Sequence, residues 1–209
     1  MDIPDAFRES DPARLHQVIR DYSFATLITH SESLVASHVP ILLDPARGEH
    51  GTLRGHMARA NPQWRDFKDD AEVMAIFHGP HTYISPSWYP THPAVPTWNY
   101  VAVHAYGVPR LIEERAALRR LLDDLVRMYE SGFEHPWKFD LPQRFTETMI
   151  DMIVGFEIPI TRLEGKFKLN QNRSAADRRG VIEVLQQSSD PVAREISALM
   201  AARTPVAGE

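Results

Sequence analysis

The 209-residue chain contains no cysteine. That removes disulfides, thiolate zinc sites, iron–sulfur clusters and a cysteine nucleophile from consideration. Apolar runs are short: Val73-Met74-Ala75-Ile76-Phe77 is typical, far below the roughly 20 residues that cross a bilayer. The start, Met1-Asp2-Ile3-Pro4-Asp5, has neither the cationic end nor the apolar stretch of a secretory signal. A cytoplasmic address with no membrane partner is the expectation. Basic excess is missing too, since 23 Lys and Arg against 28 Asp and Glu leave a net charge of −5. A whole-surface grip on nucleic acid or anionic lipid needs the opposite sign.

Several motifs are absent as well. Gly165-Lys166 is followed by Phe167 rather than Ser or Thr, and no G-x-G-x-x-G or G-x-S-x-G is present. P-loop, Rossmann and α/β-hydrolase chemistry are therefore excluded. His78-Gly79-Pro80-His81 invites a metal reading. A Gly-Pro step between the two rings gives neither helical nor carboxylate-backed ligand spacing, so no metal is expected.

What is present reads as mainly β with α additions. Asp11-Pro12 is an N-cap followed by proline at the first helical position, and Leu15, Val18, Ile19 and Tyr22 follow at helical spacing. Phe24–Thr29 and Leu34–Leu43 flank the polar turn Ser31-Glu32-Ser33 and predict a hairpin. Gly51–His56 predicts a third strand, Met57–Phe67 a short helix restarted at Asn61-Pro62, and Glu72–Phe77 a buried strand. Pro80, Pro86, Pro90, Pro93 and Pro96 predict that the whole of Gly79–Pro96 is loop. Thr97–Ile112 resumes β alternation. Glu113–Glu130 carries the apolar stripe Leu118, Leu121, Leu122, Leu125 and Tyr129 of a packing helix. Arg144–Ile153 predicts a helix and Gly155–Glu164 a strand, with helices at 179–187 and 191–202 and a disordered tail from Thr204. Strands without a βαβ rhythm suggest an antiparallel barrel with helices outside it.

Three segments are unusual for packing alone. Gly55–Trp64 brings His, Arg and Asn to a strand–helix junction, where backbone amides and Arg59 could meet an anion. Phe77–Tyr89 with Val95–Tyr100 interleaves aromatic, hydroxyl and proline residues densely enough to present a flat surface to a planar ring. In Lys166–Arg173, alternation puts Lys166, Lys168 and Asn170 on one strand face; an edge strand guarded by lysines is the plainer alternative.

Read in order, Gly55-His56-Met57-Ala58-Arg59-Ala60-Asn61-Pro62-Gln63-Trp64, Tyr83–Tyr89, Val95–His104 and Lys166–Arg173 resemble the PaiB family of FMN-binding negative transcriptional regulators. Met1–Phe7 and Ser37-His38-Val39-Pro40 fit the same pattern. The resemblance implies an FMN-binding split β-barrel over 1–173, a C-terminal helical extension and tail over 174–209, and a homodimer with flavin at the subunit interface. It nominates His38, His56, Met57, Arg59, Asn61, Trp98, Lys168, Gln171 and Asn172 as flavin contacts, with Arg59 expected on the phosphate. The Ser-Arg-Lys run of the pyridoxamine-phosphate oxidases is missing. The implied function is negative transcriptional regulation responsive to flavin or its redox state. A flavin-dependent oxidoreductase is the alternative, and a haem-binding or haem-degrading protein the third reading. No helix-turn-helix stands out, and the C-terminal helix pair with Arg178, Arg179 and Arg194 is the one candidate for DNA contact. Its Val181, Ile182, Val184 and Leu185 read instead as a face packed on the barrel.

Overall fold

A computed structural model describes residues 1–30, 32–68 and 70–203. In chain order the elements are β1 (Arg8–Glu9), α1 (Pro12–Asp21), β2 (Phe24–His30), β3 (Leu34–Asp44), β4 (Thr52–Ala58), β5 (Val73–Ile84), β6 (Thr97–Gly107), β7 (Arg110–Ile112), α2 (Arg115–Glu130), α3 (Gln143–Asp151), β8 (Ile153–Lys168), α4 (Ala175–Gln186) and α5 (Pro191–Ala202). The strands form one eight-stranded sheet in the order β1-β8-β4-β3-β2-β5-β6, with β7 also on β8. A further pairing of β6 with β8 closes six of them into a barrel. The mainly β architecture with outer helices is as the strand pattern predicts.

The chain divides into two compact units. One contains 19–77 and 104–163, the other 1–18, 78–103 and 164–209.

In the first unit, strict alternation on β2 sends Ala25, Leu27 and Thr29 inward, beside Ile41, Leu53, Phe77, Phe156 and Ile158. The α2 stripe works as its spacing predicts: Leu118, Leu121 and Leu125 pack with Leu42 and Ile150, while Tyr129 lies nearer the surface. Burying each leucine contributes about 1.5–3 kcal/mol. The opposite face is covered by α2 at Leu42 but exposed at Phe24, Leu34, Ala36 and His38, with Thr26, Ile28 and Pro40 half-buried. Phe24 lies across from Pro40, Thr26 from His38 and Ile28 from Ala36, while Ile76 and Met74 lie across from Thr26 and Ile28 on the other side. Phe24 is 69% exposed and Leu34 74%.

In the second unit, Leu169, Val181, Leu185, Ile196 and Met200 are buried with Ile84, Val101 and Phe167. The helix pair is held by specific contacts. Asp177, itself buried, accepts from the Thr91 backbone N–H at 3.1 Å, and Ser197 Oγ donates to the Ile182 carbonyl at 3.0 Å. Val181 and Leu185 are buried and Ile182 is half-buried, but Val184 faces out, against its expected place on the packed face.

Three local expectations change. The β5 strand runs on through Gly79-Pro80 to Ile84, so the loop is confined to 85–96. Proline lacks only the donor, and a strand tolerates it where the ladder does not require that N–H. Gly79 permits the neighbouring strand to approach, since a Cβ there would lie 3.1 Å from Val101 Cβ. The predicted helix at 57–67 is instead the end of β4 and one 3-10 turn, Pro62–Asp66, because Asn61 caps a segment started by proline. Asn170 does not continue the Lys166–Lys168 face: it sits in a turn at φ 61, is buried, and donates to Tyr89 Oη at 3.0 Å. The tail from Thr204 lies outside the described residues, as does Ser31 of the predicted hairpin turn.

Candidate functional site

Strands β3 and β4 carry the residues that define a shallow cleft of about 600 Å³, within the volume range of small-molecule sites. Its walls are Ala36 to Pro40 of β3, His56, Met57 and Ala58 of β4, Asn61 just beyond, and Ile153 at the start of β8. Four nominated residues, His38, His56, Met57 and Asn61, are thus brought to one place. None of the lining residues carries a carboxylate, guanidinium or ammonium group.

The polar groups here are held in defined roles. Asn61 Nδ2 donates to Ser37 Oγ at 2.8 Å, while its Oδ1 accepts from the Gln63 backbone N–H at 3.0 Å. Gln63, fully buried, donates from Nε2 to the carbonyls of Leu27 and Val35, at 3.0 and 3.2 Å. That bridge fixes the 3-10 turn against β2 and β3. His38 shares a 3.1 Å hydrogen bond between Nδ1 and Thr26 Oγ1, and its ring stacks on Phe24 with centroids 6.2 Å apart. Burial holds the His56 imidazole below its ordinary pKa. Its Nδ1 is buried and has no hydrogen-bond partner.

Arg59 faces elsewhere. Its Nε donates to the Asp151 carbonyl at 2.7 Å and its Nη2 to the Ile153 carbonyl at 2.8 Å. It lines a neighbouring cleft of about 290 Å³ with Trp64, Arg115 and Asp151, and the two clefts share Ile153.

Trp98, Lys168, Gln171 and Asn172 belong to the other unit. There Trp98 is 53% exposed at the end of an aromatic series: Tyr83 meets it edge-on at 6.1 Å and His81 lies tilted at 6.3 Å. His81 in turn stacks on His78 at 4.5 Å. Lys168 Nζ bonds Thr97 Oγ1, and burial together with Lys166 lowers the pKa of its ammonium. Gln171 is spent on its own turn, accepting from the Leu169 N–H and donating to the Phe167 carbonyl. Asn172 is exposed.

The nominated contacts leave out Ser37, Pro40 and Gln63, although the matched stretches contain them, and Ile153, which no stretch contains. Alternation along β3 places Pro40 on the His38 face, and the Asn-Pro-Gln step marks the capped turn that buries Gln63. Nothing local to Ser37 or Ile153 announces that distant segments meet there.

The cleft suits a planar heteroaromatic ring. It offers apolar walls from Ala36, Val39, Pro40 and Ile153, few polar points, and an orphaned buried ring nitrogen at His56. Among the described residues no helix is long and apolar enough to cross a membrane, and no group of three His, Asp or Glu stands where it could hold a metal.

Comparison with solved structures shows the same fold at low sequence identity. The Flavocytochrome Anf3 from Azotobacter vinelandii aligns with a TM-score of 0.61 at 12% identity, over 77% of this chain and 69% of that one. The FAD and Heme binding protein from Mycobacterium smegmatis aligns at 0.61 and 14%, over 82% and 78%. The Protease synthase and sporulation protein PAI 2 of Bacillus subtilis is 36% identical over 202 residues, 96% of each chain. Residues 1–162 match the family model described as "Putative FMN-binding domain". The chain belongs to this FMN-binding domain family, in its PaiB branch.

Proposed function

We propose that the chain binds FMN as a homodimer and that the bound flavin makes it a redox-responsive protein. The carrying observation is the cleft of His38, His56 and Asn61, which no carboxylate, guanidinium or ammonium group lines and which opens at the exposed residues Phe24, Leu34 and Ala36 of the sheet. Exposed apolar patches mark protein-contact surfaces or ligand-binding grooves, and this one supports placing the flavin where two subunits meet. The flavin supplies one- and two-electron chemistry; the protein supplies position, a dry wall and hydrogen bonds. His56, Ser37 and the apolar residues around them would hold the cofactor here. Lys168, also nominated, belongs to the other unit, where its Nζ bonds Thr97 Oγ1.

Regulation is the first use of such a site: flavin occupancy or redox state would switch repression of target genes. Direct DNA contact through α4 and α5 fits poorly, because that pair spends its apolar face on its own unit and Arg194 on the Ser188 and Ser189 carbonyls. The second reading, an FMN-dependent oxidoreductase, is favoured by the cleft itself, which needs no nucleic acid to be useful.

The test is FMN titration followed by absorbance and flavin fluorescence, with sedimentation velocity to fix the subunit count. One flavin per subunit of a dimer supports the reading; no binding overturns it. Rapid bleaching of bound flavin by a nicotinamide donor selects the oxidoreductase. A salt-sensitive mobility shift that depends on flavin redox state selects the regulator.

A further inference from the structure

His56 lies on β4 with its side chain on the cleft wall and its Nδ1 sealed from solvent without a partner. A buried N–H with nothing to bond costs more than a buried lone pair, and orphaned buried donors are rare in folded proteins. Nδ1 is therefore the unprotonated nitrogen. The ring is neutral at neutral pH, since burial lowers its pKa. Its one proton must then sit on Nε2. Nε2 is not among the sealed atoms and bonds no other residue among those described, so it is the nitrogen left at the accessible surface. The wall thus shows a neutral donor at His56 and no carboxylate, guanidinium or ammonium group.

We propose that His56 is the specificity residue of this cleft, giving its ligand an uncharged hydrogen bond from Nε2–H. The assignment rests on the flavin reading only for the identity of the acceptor, a ring carbonyl, ring nitrogen or phosphate oxygen of FMN. An acceptor-bearing ligand satisfies this donor, whereas one that presents a donor here leaves it unpaired and is rejected.

The experiment has two arms on the full chain. Long-range ¹H–¹⁵N spectra identify His56 as the ring signal missing from His56→Gln, and the expected result is the neutral Nε2–H form. FMN titration then compares wild type with His56→Gln, whose amide nitrogen falls near the place of Nε2, and with His56→Leu. Gln is expected to keep affinity within about threefold and Leu to lose about tenfold, the size of one hydrogen bond to a buried partner. Matching thermal midpoints confirm that both variants fold.

An Nδ1–H ring or an imidazolium overturns the assignment, as does a Leu variant that binds like wild type. A wild-type chain that shows the Nε2–H form yet takes up no FMN overturns the flavin reading and leaves the donor assignment standing.

Discussion

Asn61 Nδ2 donates to Ser37 Oγ across 2.8 Å, and the other end of the same amide caps the Pro62–Asp66 turn by accepting from Gln63 N–H at 3.0 Å. One side chain therefore ties a turn end to the strand that walls the cleft. Asn61→Ala removes both bonds. Loss of a cap costs about 1 kcal/mol and a neutral hydrogen bond a similar amount, so the stability loss is about 1–2 kcal/mol. Ser37→Ala removes one of them and should cost about half as much. Urea unfolding of the two variants checks the ratio; equal losses would show that the cap contributes nothing.

Arg59 makes the opposite prediction to the one its sequence position invites. At a strand–helix junction it reads as a phosphate ligand, but Nε and Nη2 both donate to carbonyls at the end of α3 and the start of β8. Hydrogen bonds from a charged donor are worth about 1.5–3 kcal/mol when shielded, and Arg59 is exposed, so the pair together is placed near the lower figure. Arg59→Ala should destabilise by about 1–2 kcal/mol and weaken FMN and riboflavin by the same factor. A loss confined to FMN, measured by parallel titrations, would return Arg59 to the phosphate.

Glu9 is a buried carboxylate that accepts from the Ser10 and Asp11 backbone N–H groups at 3.0 Å each, and pairs with Arg14 and Arg203. Burial pushes its carboxyl up, but the Asp11 N–H and the two guanidinium groups outweigh that and hold it below the usual glutamate value. A depressed folded-state pKa contributes stability that is present above the unfolded value, about 4.5, and is lost as pH falls through the folded one. Wild type should therefore lose stability on acidification below that point more steeply than Glu9→Gln. The Arg203 guanidinium also stacks on Phe167 at 4.6 Å, so the loss should first loosen the end of α5. Urea unfolding of both proteins at neutral and acid pH, with amide exchange of α5, decides it; parallel pH curves would remove Glu9 from the account.

The parts of this fold that were legible in the sequence are those where one period dominates. The α2 stripe of Leu118, Leu121 and Leu125 and the alternation of β2 state which face is buried whatever lies opposite. Asp11-Pro12 and Asn61-Pro62 state where an element begins. The β5 extension through Gly79-Pro80 was illegible because five prolines in sequence outweigh a strand, although what matters is whether the ladder needs each N–H. The left-handed turn at Asn170 hid behind the alternation of Lys166 and Lys168. Half of the candidate site was similarly hidden. Histidine and asparagine types point to polar contacts, but which acceptor a guanidinium such as Arg59 meets depends on carbonyls about 90 residues away.

Gly180 sits inside α4, where replacement by alanine ought to help. Alanine is better than glycine in a helix interior by about 1 kcal/mol. Here a Cβ would stand 2.5 Å from the Trp88 carbonyl oxygen, a backbone atom that cannot rotate aside. The segment around that carbonyl is pinned, since Tyr89 Oη accepts from Asn170, Arg173 covers the Tyr89 ring at 4.6 Å, and Thr91 N–H donates to Asp177. Overpacking a site that cannot yield costs about 1–3 kcal/mol, which exceeds the propensity gain at most of that range. Gly180→Ala should therefore destabilise the protein by up to about 2 kcal/mol, while alanine at the exposed helical site Arg179 should change stability by less than about 0.5 kcal/mol. Thermal unfolding of the two variants side by side tests this. If Gly180→Ala is the more stable of the two, the helix pair rides loosely on its unit, and α4 is again open to a role as a DNA-contacting element.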